Sequence, residues 1–311
     1  MREPAPTLLA GLGALLLVGA LLTAYQVAGT SYNPRRALLE TQEGDGTGLV
    51  GVWRQVHHPP RAAPTSPSGT AGDDVLQRFA WATRYINETR GLGLYPQWQC
   101  PDALKIGARP ARHTPDLVGT TCEPWLSRHA ITLLHMLLAP GTAKALEWST
   151  GSSTAWLLAG HVRSLVSIEH YAGWAKGVTE QLESVFGASF LKDRWTLHHV
   201  PPEPANSTLM EDSDVFFEYV DAAFLGPDQL MSFDFVSIDG RARAACFTRA
   251  LRLLHPHGGV LLLDNAERSY YADGIAQVPR HWLRYEAAND EDTTIVWVSR
   301  HAQEGEQQVE A

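Results

Sequence analysis

Ala145-Leu-Glu-Trp-Ser-Thr-Gly-Ser-Ser-Thr154 is an apolar run that closes on an acid and passes into a turn of small residues. Ser167-Ile-Glu-His170 stands close behind it. The same form returns in Phe233-Asp-Phe-Val-Ser-Ile-Asp-Gly240 and in Val260-Leu-Leu-Leu-Asp-Asn265. A short, continuous apolar run bounded by turn residues is how a strand buried on both faces looks in sequence. Such a strand delivers the polar residue at its end to the carboxyl edge of a parallel sheet, where open α/β folds bind their ligands.

Working outward, the periodicity predicts strands over 143–149, 164–169, 194–200, 233–238 and 260–263, with helices over 152–160, 171–186, 211–224, 241–254 and 270–277 between and after them. Strands alternating with helices give a parallel sheet covered on both faces. Two further strands, about 282–287 and 293–299, are joined by the short turn Ala288-Asn-Asp-Glu291 and are therefore antiparallel. The expected fold is α/β: a Rossmann-like, mostly parallel seven-stranded sheet with an antiparallel last strand, occupying 141–300. Two helices, from Asp73 or Asp74 to about Arg90 and from Ser127 to Leu138, form a helical and loop extension over 73–140. The tail 301–311 is polar.

The N-terminus has a different character. Residues 7–28 hold no charge over 22 positions, enough for one bilayer-spanning helix, so 1–28 is read as a signal-anchor or transmembrane segment. Cleavage near Val27-Ala28-Gly29, with secretion, is the alternative. Residues 29–72, rich in Gly, Pro, Ser and Thr, form a flexible stem. Asn87-Glu-Thr89 and Asn206-Ser-Thr208 are glycosylation sequons. With the anchor they make the expected place a secretory membrane, the Golgi, with the larger part lumenal. Of three cysteines, Cys100 and Cys122 share an irregular region and could pair in an oxidising compartment, whereas Cys246 falls within a helix as a buried free thiol. The net charge of −9 argues against a nucleic-acid partner.

Chemistry gathers at the strand ends. Gly151 permits a tight turn and close backbone approach by a ligand, and the helix that follows offers unpaired N–H groups. A carboxylate placed as Glu169 is can accept both hydroxyls of a ribose. Glu147 and Glu169 around a glycine turn therefore read as a nucleoside site, although two capping acids on a plain strand–turn–helix would look alike. Asp239, Asp264 and Asn265 bring three oxygen-bearing side chains to adjacent strand ends, a set that suits a hard divalent cation such as Mg²⁺. Capping demands the same residue types. His170 could lie over a cofactor, act as a base, or only pack. Arg241 and Arg243 make either a carboxylate clamp or a solvated helix face.

On these residues, 125–300 resembles the class I S-adenosylmethionine-dependent methyltransferases. Glu147-Trp-Ser-Thr-Gly-Ser-Ser is similar to that family's first motif, acid-x-Gly-x-Gly-x-Gly, with Gly151 kept and Ser149 and Ser153 in place of the outer glycines. The resemblance implies that Glu147, Ser149, Gly151, Ser152, Glu169, His170 and Asp239 border S-adenosylmethionine. It also implies Asp239, Arg241 and His170 as catalytic candidates. Asp239, Asp264 and Asn265 resemble the metal site of the catechol, caffeoyl-CoA and sugar O-methyltransferases. Ala242 stands where the catechol enzymes carry a lysine. The expected activity is O-methylation of a hydroxyl on a glycan or small glycoside, divalent-metal-assisted. The rival readings are a catalytically inactive scaffold of the same fold and a nucleotide-dependent oxidoreductase, which lacks its Gly-x-Gly-x-x-Gly fingerprint.

Overall fold

The computed structural model describes residues 71–89, 124–138, 141, 143–224, 232–288 and 292–302. The apolar segment 7–28, the stem up to residue 70, the region holding Cys100 and Cys122, and the tail beyond 302 lie outside these residues. Among the described residues no helix is long and apolar enough to cross a membrane.

Seven strands form one sheet: β1 (Ala143–Trp148), β2 (Val162–Glu169), β3 (Trp195–His199), β4 (Phe235–Ile238), β5 (Val260–Leu263), β6 (Leu283–Ala288) and β7 (Thr293–Val298), in the spatial order β3-β2-β1-β4-β5-β7-β6. β1 to β5 run parallel, and β7 is antiparallel to both β5 and β6. This is the mixed α/β sheet that the alternating pattern predicts.

The helices are α1 (Ala71–Thr89), α2 (Arg128–Leu138), α3 (Ser152–Trp156), α4 (Ala172–Phe186), α5 (Ala188–Arg194), α6 (Phe217–Asp221), α7 (Arg243–Leu253) and α8 (Ala272–Ile275). A 3₁₀ turn, Ser269–Tyr271, leads into α8. α3 widens into a π turn over Leu157–His161 and stops where Gly160 takes φ 148°. α5 has no counterpart in the sequence reading.

Successive strand residues point to opposite faces, and the two cores show it directly. Ala145, Phe235, Leu262 and Val296 pack with Leu133, Trp156, Val178 and Leu191 on one side. Their neighbours Leu146, Val236, Leu261 and Ile295 pack with Tyr219, Phe247 and Tyr271 on the other. Both faces are dry across β1, β4 and β5, which is why these central strands read as largely apolar runs, whereas β3 is only partly buried. α1 and α2 contribute Phe79, Ile86, Leu134 and Leu137 to the first core, so this extension packs onto the sheet and shares its core. Cys246 is a free thiol buried in the second core. Asn87 and Asn206 are both exposed, the first in the last turn of α1 and the second in the loop 200–216.

Candidate active site

The register fixes which residues meet. Trp148 pairs with Ile168 on β2 and with Ile238 on β4, and Ile238 pairs with Leu263 on β5. Glu169, Ser149, Asp239 and Asp264 therefore follow one another along a single carboxyl edge, with neighbouring strands about 4.8 Å apart. A cavity of about 650 Å³ opens there. Ser149, Gly151, Ser152, Glu169, His170, Asp239, Arg241 and Asn265 all line it. Of the sequence candidates, Glu147 and Asp264 do not; both are buried behind the edge.

Glu147 supports the turn from beneath. Its Oε1 accepts the hydroxyls of Thr154 (2.6 Å) and Ser167 (2.7 Å), and Oε2 accepts that of Ser153 (3.3 Å). The Thr154 hydroxyl accepts the Gly151 N–H at 2.9 Å, and the Ser167 hydroxyl accepts the Trp195 indole N–H at 2.9 Å. Burial pushes the Glu147 carboxyl up to about 7, against the pull of these three hydroxyls. The expected contact between Glu147 and the cofactor is thus replaced by a hydrogen-bonded path through Thr154 to Gly151.

Glu169 faces the cavity. Its Oε1 accepts the backbone N–H groups of His170 and Tyr171, both at 2.9 Å, and its Oε2 accepts the Thr150 hydroxyl at 3.1 Å. Burial alone would raise this acid, but the His170 ring, the Tyr171 N–H and the Thr150 hydroxyl outweigh it, and the pKa falls below the ordinary value. A fixed, ionised carboxylate with unused lone pairs is suited to a pair of vicinal hydroxyls. His170 Nδ1 lies 2.8 Å from Glu169 Oε1, and its Nε2 accepts from Arg241 Nε at 3.3 Å. Next to it the Trp174 indole donates to the Thr150 carbonyl at 2.8 Å and lines the cavity beside Gly151.

The Asp239, Asp264 and Asn265 set does not fit a divalent cation. Asp239 Oδ1 is 3.0 Å from Arg243 Nη2, whose side chain is only 8% exposed. The same guanidinium donates to the Asp264 carbonyl and to the Gly240 carbonyl. Asp264 turns its Oδ1 to the Thr294 hydroxyl at 2.8 Å, away from the cavity, and burial with the nearby Asp239 charge pushes it up to about 8. Asn265 Nδ2 donates to Asp292 Oδ1 at 2.9 Å. A metal needs these oxygens deprotonated and converging; here a buried arginine holds one and the core holds another. Among the described residues no group of three His, Cys, Asp or Glu could hold a metal ion. Burial raises Asp239 itself, while Arg243, Arg268 and Arg241 pull the other way.

The backbone is bent hardest at this edge. Among the described residues the non-glycine positions with positive φ are Ser149 (121°), Ala242 (46°) and Asn265 (55°), which follow β1, β4 and β5. Non-glycine residues adopt such angles at a cost of order 1–3 kcal/mol and do so mostly at functional sites. Ser149 stands where a glycine was expected by resemblance, and it keeps a backbone angle that suits glycine. Ala242 in the left-handed region starts α7 without a side-chain cap, so Asp239 pairs with Arg243 instead of capping that helix.

Among the cavity residues that sequence reasoning did not assign to the site are Thr150, Trp174, Tyr171 and the rim residue Trp125, which is half exposed. Thr150 lay inside the quoted motif and was the one with a signal to follow.

No family model and no curated protein matches the sequence. Solved structures share part of its shape. An O-methyltransferase from Bacillus cereus, crystallised with SAH, is 18% identical, with 82% of this chain and 100% of that one covered and a TM-score of 0.40. A methyltransferase from Geobacter sulfurreducens is 12% identical, covering 76% and 92%, with a TM-score of 0.37. Spermidine synthase from Thermotoga maritima is 15% identical, covering 55% and 58%, with a TM-score of 0.36. These likenesses are too distant to assign an activity, and the third bears a different one, so topology and cavity chemistry must speak for this chain.

Proposed function

We propose that this chain is an S-adenosylmethionine-dependent O-methyltransferase acting on a hydroxyl of a small-molecule or glycan acceptor. One observation carries the reading. An ionised Glu169 and the Asp239 carboxyl line the same cavity from β2 and β4, on either side of the Gly151 turn, about 10 Å apart along the edge. That span suits a nucleoside at one end and an acceptor oxygen at the other.

When bound, S-adenosylmethionine would supply an electrophilic methyl group on a cationic sulfur. Glu169 accepts the ribose hydroxyls. Ser149, Gly151 and Ser152 border the methionine end, with the turn held from below by Glu147 through Thr154. Trp174 closes the wall next to Gly151. Asp239, fixed by Arg243, takes the proton that the acceptor hydroxyl releases; its raised pKa makes it a better base than an exposed aspartate. Arg241 orients the acceptor. The protein's main contribution is alignment. A divalent cation has no place in this scheme, because Arg243 already neutralises Asp239.

The secretory setting is proposed on other grounds: the apolar stretch 7–28 as anchor, and the exposed Asn87 and Asn206 as lumenal glycan sites. A glycan acceptor in the Golgi follows from that setting rather than from the cavity.

The test has two steps. Titration with S-adenosylhomocysteine measures binding, and labelled methyl transfer to a panel of glycosides measures turnover. Asp239→Asn is expected to keep the first and to lower kcat by roughly 100-fold or more. Binding without turnover on any acceptor would favour an inactive scaffold, and absence of binding would sink the methyltransferase reading altogether.

A further inference from the structure

Among the described residues three arginines, Arg241, Arg243 and Arg268, line the acceptor end of the cavity against one carboxylate, Asp239. Asp239 and Arg243 neutralise each other at 3.0 Å. Arg241 also lines the cavity, and among the described residues no carboxylate lies within ion-pair distance of it; its Nε donates to His170. Arg268 lines the cavity from the β5 side. Among the described residues it pairs with Glu267 at 3.7 Å, the two side chains 40% and 38% exposed, and it contacts the Tyr271 hydroxyl at 3.5 Å and Tyr270. Exposed pairs of that length are worth little. Two guanidinium groups thus face one cavity in a chain whose net charge is −9.

A guanidinium left facing a cavity is a fork for a carboxylate or phosphate. The sulfonium end of the donor is itself cationic and gains nothing from these arginines. Arg268 is separated from the nucleoside by its place in the sheet, while Arg241 reaches from the acceptor side to His170, beside Glu169. Glu169 belongs to β2, whereas Arg241 and Arg268 follow β4 and β5, one and two strands beyond β1. Trp125 and Tyr171, both exposed, also line the cavity, the second beside Glu169.

We infer that the acceptor is a hydroxy acid: its anionic carboxylate is held by Arg241 and Arg268, which presents its hydroxyl to Asp239. This rests on the methyl-transfer reading and narrows its substrate class. An acidic sugar such as a hexuronic acid meets the description, with one ionised group and several hydroxyls. The same carboxylate chemistry could instead come from the methionine end of the donor, so the experiment separates the two.

Full-length protein saturated with S-adenosylhomocysteine is titrated with p-nitrophenyl β-glucuronide and with p-nitrophenyl β-glucoside, which differ only at the carboxylate. The glucuronide is expected to bind roughly 10- to 100-fold more tightly, as one charge-assisted bidentate contact provides. In Arg241→Met and Arg268→Met the preference should shrink to within about threefold, with the S-adenosylhomocysteine Kd changed by no more than about the same factor. Equal binding of the two glycosides, or binding of neither, overturns the inference. A large loss of S-adenosylhomocysteine affinity in the arginine variants also overturns it, because the arginines then serve the donor. Failure of the wild-type protein to bind S-adenosylhomocysteine is a different result and strikes the parent reading instead.

Discussion

The Thr154 hydroxyl lies 2.6 Å from the Glu147 carboxylate and at the same time accepts the Gly151 N–H at 2.9 Å. One side chain therefore couples a buried acid to the turn that faces the cavity. Thr154→Val keeps the shape and removes both bonds. It leaves a buried carboxylate short of a donor, and the expected cost is about 1–3 kcal/mol of stability. Denaturant unfolding would measure that cost. Titration with S-adenosylhomocysteine should show weaker binding in the same variant, because the Gly151 turn is no longer fixed.

Glu147 also sets a pH dependence. Its folded-state pKa is raised from 4.5 to about 7 by burial, so between those values the folded chain holds a proton that the unfolded chain has released. Stability then falls as pH rises across this window, the reverse of a salt-bridged carboxylate. Asp264, raised from 3.8 to about 8, acts in the same direction. Glu147→Gln cannot ionise and still accepts from Thr154 and Ser167. It should match the wild type near pH 5 and exceed it near pH 8, by up to about 3 kcal/mol. Thermal melts at the two pH values decide; a wild type equally stable at both would refute the assignment.

Much of this architecture could be read from the sequence because a buried parallel strand has little choice of residues. β1, β2, β4 and β5 emerged as apolar runs, and the acids at their ends were found with them. What failed to show was local. The expected helix over 211–224 shrinks to Phe217–Asp221 because the Asp212 carboxylate accepts the N–H groups of Asp214 and Val215, a turn that competes with helix. α5 is one short polar stretch behind Gly187, with little apolar period to find. The metal trio looked sound because spacing brings Asp239 and Asp264 to adjacent strand ends, and it does. Spacing could not show that Arg243 would fold back under that edge or that Asp264 would turn to Thr294.

Ser149 holds φ 121° directly after β1. Glycine adopts that angle freely, so Ser149→Gly should relieve strain of about 1 kcal/mol, less the entropy glycine loses on folding. The net expectation is a small rise or no change in Tm, where an exposed serine in a relaxed turn would lose stability. Ser149→Val, β-branched, should lose about 1–3 kcal/mol at the same position. Parallel melts of the three proteins test the angle without any assay of activity.

Arg243 sits where the resemblance places a metal. Chelation with EDTA should therefore leave methyl transfer unchanged, whereas Arg243→Met should be costly. Removing the guanidinium strands Asp239 and frees the Asp264 and Gly240 carbonyls. Breaking a buried pair from one side costs several kcal/mol, and with Asp239 about one-third exposed the expected loss is about 2 kcal/mol. Loss of activity on chelation, restored by Mg²⁺, would overturn the arginine assignment.

Glu169 is the residue whose change should separate donor binding from the rest of the fold. Glu169→Gln keeps the length, and its amide oxygen can still accept the His170 and Tyr171 N–H groups that hold the loop after β2. It loses the charge and half of the acceptor capacity facing the cavity. A hydrogen bond to an ionised group contributes about 1.5–3 kcal/mol, so S-adenosylhomocysteine should bind roughly 10- to 100-fold more weakly. Its Tm without ligand should fall modestly, because the fold favours the ionised Glu169 and the Thr150 hydroxyl loses its carboxylate acceptor. Adenine alone, which has no ribose hydroxyls, should bind the wild type and the variant equally well. If the variant weakens adenine and S-adenosylhomocysteine to the same degree, Glu169 shapes the pocket without holding a ribose, and the nucleoside end of the cavity must be sought elsewhere along the edge.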